Sequence, residues 1–145
     1  MRTLKLKMKM ILLLAFSSFS PSLSSHNLTI SCPHGDIAFT VEIAQTPDKI
    51  MTGLMFRNHM EENEGMLFLF PQSKAVAMWM KNTPLSLDMI FCDPNGKIHV
   101  IHENTTPFSL RTIGPVENTA QVLEVLSGTI KKYEITKECR LLLKN

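Results

Sequence analysis

GMLFLFPQSKAVAMWM, residues 65–80, carries two apolar runs, GMLFLF (65–70) and KAVAMWM (74–80), parted by Pro71, Gln72 and Ser73. Neither run is long enough for an ordinary helix, and both are bounded by turn-forming residues. Short continuous apolar runs of this kind predict buried strands. The stretch therefore reads as two strands joined by a turn, and that reading sets the class of the whole chain.

Upstream, LTISC (28–32) and DIAFTVEIA (36–44) read as two strands around the turn PHGD (33–36). Ile37, Phe39, Val41 and Ile43 alternate with Ala38, Thr40, Glu42 and Ala44, which predicts one buried face. TPDKIMTGLMFR (46–57) reads as a short helix. Thr46 can cap it, Pro47 suits its first turn, and Asp48 complements its dipole. Ile50, Leu54 and Met51 form its inward stripe. EENEG (61–65) is a polar turn.

Downstream, SLDMIF (86–91) and KIHVI (97–101) flank DPNG, a hairpin connection. Asn104 to Asn118 reads as a loop containing Pro107 and Pro115. AQVLEVL (120–126) reads as a strand, TIKKY as a helical turn capped by Ser127, and ECRLLL (138–143) as the last strand. Most connections are too short for parallel crossovers. The expected fold is α+β and mainly β. It is one compact domain with a curved, mostly antiparallel sheet or small barrel and one or two short helices.

The chain begins MRTLKLKMKMILLLAFSSFSPSLSSHN. Arg2, Lys5, Lys7 and Lys9 precede a short apolar core, Met10 to Phe16, and then serines. This is the layout of a secretory signal over residues 1–25, leaving one domain over 26–145. The apolar run is too short to span a bilayer, so no membrane span is expected once the signal is cleaved. The expected location is exported, periplasmic or extracellular. All 13 acidic residues lie beyond the leader, while four of the 15 Lys and Arg lie within it. The mature chain is then near −2, which lacks the basic face a nucleic-acid partner needs.

Cys32, Cys92 and Cys139 would meet an oxidising compartment. One disulfide with a free thiol, its pairing open, and three separate buried thiols are both compatible with the sequence. There is no CxxC, HExxH, EF-hand loop, phosphate-binding glycine pattern or GxSxG. No cofactor and no metal are expected from these motifs.

Two weaker chemistries come from single residues. Met51, Met55, Met60, Met66, Met78, Met80 and Met89 fall in one segment, and soft thioethers suit Cu(I). On a strand, however, Met78 and Met80 share a face and Trp79 points away. Asp88 and Glu124 sit in apolar strands, where each would face outward or need a partner. Arg57 is the candidate partner, through a bidentate guanidinium pair. Asn82, Thr83 and Pro84 either lock a tight turn or form a polar rim beside Trp79.

GLMFR (53–57), GMLFLF (65–70), WMKNTPLSLDMIF (79–91) and VLEVLSG (122–128), in that order, resemble the exported proteins of domain of unknown function 192. The resemblance covers residues 37–143. Its pattern falls on Gly53, Leu54, Met55, Arg57, Gly65, Met66, Phe68, Trp79, Met80, Asn82, Thr83, Leu87, Asp88, Leu123, Glu124 and Gly128. Departures are Met78 before the tryptophan, Ser86 before the Leu87–Asp88 pair, and Glu138–Cys139 for a late Gly–Asp. The resemblance implies a small exported β-rich domain and no particular activity.

The expected function is that of a noncatalytic domain binding a small molecule or an envelope protein. Arg57, Trp79, Asn82, Thr83, Asp88 and Glu124 are the candidate ligand-binding residues. The alternatives are a hydrolase using Arg57, Asp88 and Glu124, and a methionine-rich Cu(I) carrier.

Overall fold

In the computed structural model, which describes residues 24–144, the elements run β1 (Ser25–Cys32), β2 (Gly35–Ala44), α1 (Pro47–Thr52), β3 (Glu64–Met78), β4 (Leu87–Cys92), β5 (Ile98–His102), β6 (Ile113–Leu126), α2 (Thr129–Lys132) and β7 (Arg140–Leu143). The signal expected over residues 1–25 lies, except for its last two residues, outside the described ones.

The strands form one sheet in the order β5-β4-β6-β3-β2-β1-β7. Five of the six pairings are antiparallel. The exception is β2 with β3, which run parallel from Thr40 opposite Glu64 to Ala44 opposite Phe68. A parallel step needs a crossover, and α1 lies in the connection that makes it. The fold class read from the sequence holds: mainly β, with a curved, mostly antiparallel sheet and two short helices.

The sheet curls into a half-barrel until its edges touch. Lys97, just before β5, bridges Arg140 of β7, and the Leu141 amide donates to the Gly96 carbonyl at 2.9 Å. A Cβ on Gly96, at φ 77, would lie 2.0 Å from the Leu141 carbonyl oxygen. Only glycine allows that approach.

Strand alternation sorts the core into two faces. Leu28, Ile30, Phe39, Val41, Leu67, Ile90, Ile98, Leu123, Val125 and Leu141, drawn from all seven strands, pack inside the curl with Ile130 and Ile135. The outer face of β3, β6 and β4 presents Met66, Phe68, Val122, Met89 and Phe91, and is covered by Leu54, Met60 and Met80. Each large apolar side chain buried this way contributes about 1.5–3 kcal/mol.

Several expectations are corrected. GMLFLF and KAVAM (74–78) are one strand, not two, which ends before Trp79 and Met80, and of its second half only Val76 is buried. Pro71 does not break it because it falls where the ladder with β6 slips, between Leu69 and Lys74, and no amide is needed there. The partner of that second half is Ile113 to Asn118, which had read as loop. Val76 faces Val116 and Met78 faces Ile113, so the two strands extend together as an arm. Helix α1 stops at Thr52, with Gly53 at φ 48, and buries none of its residues; Met51 is 64% exposed. Ser127 does not cap α2, whose N-cap position is Gly128.

The cysteine alternatives resolve as one bridge and one thiol. Cys32 bonds Cys139, tying the end of β1 to the residue before β7, and Cys92 is a buried thiol whose pKa burial pushes up.

Candidate functional site

Glu124 occupies the central strand β6, paired with Met66 on β3 and Met89 on β4. It points to the outer face, among Met66, Phe68, Val122 and Met89, because its neighbours Leu123 and Val125 fill the interior. It is 4% exposed. Burial alone holds its carboxyl up at about 8, from an ordinary 4.5, and no hydrogen bond acts on it. Every fully buried side-chain oxygen among the described residues has a partner. The Glu124 oxygens must therefore keep some contact with solvent, and a crevice of about 20 Å³ provides it. That is room for one water-sized atom.

The crevice is walled by the end of α1, from Ile50 to Met55, and by Met78, Trp79, Lys81 and Thr83. Trp79 stands where the arm ends and is 38% exposed. The Lys81 ammonium lies 5.1 Å from its ring centre. Thr83 is buried, and its hydroxyl donates to the Lys81 carbonyl at 3.0 Å. Asn82 adopts φ 53, its carbonyl accepts the Phe56 amide at 2.8 Å, and its amide donates to the Met55 sulfur at 3.9 Å. The turn therefore locks itself and also clasps the exit of α1. Both readings of Asn82 and Thr83 have a structural basis: they fix the turn, and Thr83 lines the crevice.

The other two candidates lie elsewhere. Arg57 makes a bidentate ion pair with Glu42, and that hydrogen bond raises its pKa. It lines openings on the far side of α1. The expected partnership of Arg57 with Asp88 or Glu124 is thus replaced by Glu42. Asp88 is fully buried, and three backbone amides satisfy it: Asn104 on Oδ1 at 2.9 Å, and Gly128 and Ile130 on Oδ2, each at 3.0 Å. It caps α2 from a distant strand.

The pleat keeps Asp88 and Glu124 apart. Asp88 pairs with Val125 on the interior face, while Glu124 pairs with Met89 on the outer one. Arg57, Asp88 and Glu124 do not converge on one cleft. Four of the seven clustered methionines, Met60, Met66, Met80 and Met89, are buried core side chains. That is the ordinary use of a flexible thioether in an irregular core.

Beside the crevice lies a larger groove that the sequence reading missed. It has a volume of about 720 Å³ and runs between α1 and the arm, past Ile50, Met51, Phe70, Val76, Met78 and Trp79. Ile50, Met51, Met78 and Trp79 line both spaces. The signal available in the sequence was the alternation of Lys74, Val76 and Met78. Reading the run as a wholly buried strand concealed it.

The profile of the family DUF192, described as uncharacterised ACR, matches residues 29–143. No curated protein matches the chain. Among solved structures, a protein from Sinorhizobium meliloti 1021 described as a "putative transcription regulator" superposes with a TM-score of 0.82 and 38% identity, over 86% of this chain and 97% of that one. A protein of unknown function from Novosphingobium aromaticivorans DSM 12444 superposes with a TM-score of 0.80 and 28% identity, over 84% of this chain and 87% of that one.

Proposed function

The chain belongs to the DUF192 family of uncharacterised proteins, and on that footing we propose that it is an exported, noncatalytic binding domain that takes a small molecule in the groove between α1 and the arm. The carrying observation is Trp79, the only tryptophan, which forms the wall shared by the groove and the Glu124 crevice. A concave, mainly apolar space with a few convergent polar groups is the usual form of a small-molecule site. A neutral carboxyl at the crevice floor both donates and accepts, so it orients one polar atom of a ligand.

Export is supported by the leader pattern and by the Cys32–Cys139 bridge, which belongs in an oxidising compartment. The regulator description of the Sinorhizobium protein is not carried over, because the chain beyond the leader is near −2 and has no basic surplus for DNA.

The test is a thermal-shift screen of the mature protein against a metabolite library, repeated with Trp79→Ala and Glu124→Gln. Compounds that raise the melting temperature of the parent are expected to lose that effect in Trp79→Ala. A folded Trp79→Ala variant that keeps every such shift overturns the proposal.

A further inference from the structure

The groove carries a single, positive ionisable group in an otherwise mainly apolar lining. Lys74 is the one ionisable residue among those lining it; Gln45 and Thr112 supply its polar atoms. The Lys74 ammonium lies 4.9 Å from the centre of the Phe70 ring, as Lys81 lies over Trp79, and both rings line the groove. Neither lysine is in an ion pair among the described residues. Stacking on an aromatic face holds an ammonium near the apolar wall while its charge stays unneutralised. Glu124, the only acid lining the adjoining crevice, is mostly protonated at neutral pH and offsets little of their charge.

We propose that the occupant of the groove is a monomeric single-chain amphiphile with an anionic head: its apolar chain lies along Ile50, Met51, Val76 and Met78, and its carboxylate meets Lys74. This rests on the small-molecule reading above and names its ligand class. The charge complementarity is one-sided. A cationic head would meet the Lys74 ammonium, and a neutral head would leave it unpaired beside an apolar chain.

The test uses three twelve-carbon probes below their micellar concentrations: dodecanoate, dodecanol and dodecyltrimethylammonium. Trp79 fluorescence and isothermal titration calorimetry report binding to the mature protein. Dodecanoate is expected to give a saturable Trp79 change and to bind at least about tenfold more tightly than the other two, a difference of about 1.4 kcal/mol. In Lys74→Ala that preference is expected to vanish, by fluorescence and by calorimetry alike, while chain binding persists.

Equal binding of the three head groups, or tighter binding of the cationic one, overturns the anionic class but leaves the small-molecule reading standing. A response to dodecanoate only when vesicles are present overturns it in favour of a membrane surface. If dodecanoate gives neither a fluorescence nor a calorimetric signal, the class also falls, while the library screen independently decides the broader reading.

Discussion

Glu124 is the residue whose chemistry its neighbours most alter. Met66, Met89 and Phe68 surround it, and desolvation favours its protonated form. Because its folded pKa is raised to about 8 from 4.5, folding binds a proton that the unfolded chain releases. Its contribution to stability is full below about pH 4.5 and falls as pH rises to about 8, by roughly 1.4 kcal/mol per unit. Glu124→Gln removes this slope. Urea midpoints from pH 5 to 8.5 should show the variant gaining on the parent by a few kcal/mol toward pH 8. Parallel profiles would refute the assignment. The comparison cancels other titrating groups such as His99, whose pKa burial lowers.

At the scale of elements, α2 has four residues and no side-chain cap of its own. Asp88, on β4, supplies the acceptor instead and ties in the Asn104 amide. Asp88→Ala would leave three amides without that acceptor, at a cost of about 3 kcal/mol or more. Chemical denaturation checks the magnitude, and faster hydrogen exchange confined to Asn104, Gly128 and Ile130 checks the mechanism. The arm made by β3 and β6 is the complementary case: an element whose role is a surface. Its Ala75 and Ala77 are exposed, while Val76 is buried in the outer-face core. The strand expected over KAVAMWM is present from Lys74 to Met78 and stops short of Trp79 and Met80. It is not buried on both faces, because no second layer covers its other side.

For the whole molecule, the disulfide pins the edge strand at which the curl closes. It spans 107 residues and joins β1 to the segment that leads into β7, the edge that meets the start of β5. Cross-linking so long a loop restricts the unfolded chain and contributes about 3–5 kcal/mol. Cys32→Ser, or reduction of the parent, is therefore expected to lower the unfolding free energy measured in urea by that much, with a lower midpoint. Equal midpoints for oxidised and reduced protein would show that the sheet closes without the bridge.

The sequence by itself determined the period-two alternation, the turns at PHGD and DPNG, the start of α1 at Thr46 and Pro47, and hence the mainly β class. These depend on local sterics and on which side of a strand each residue faces, and both are written in a few adjacent residues. Only the tertiary structure decided the partners of the isolated polar groups and cysteines. Asp88 is satisfied by amides 16, 40 and 42 residues away, Arg57 by Glu42, and Cys32 by Cys139. Such distances are set by how the curl brings strands together, which no local pattern encodes. The same packing left Glu124 without a protein hydrogen bond under the arm. Trp79, which strand alternation had separated from its neighbouring methionines, became the wall of a groove shared with one of them, Met78, because the arm lies across from α1 on the outer face.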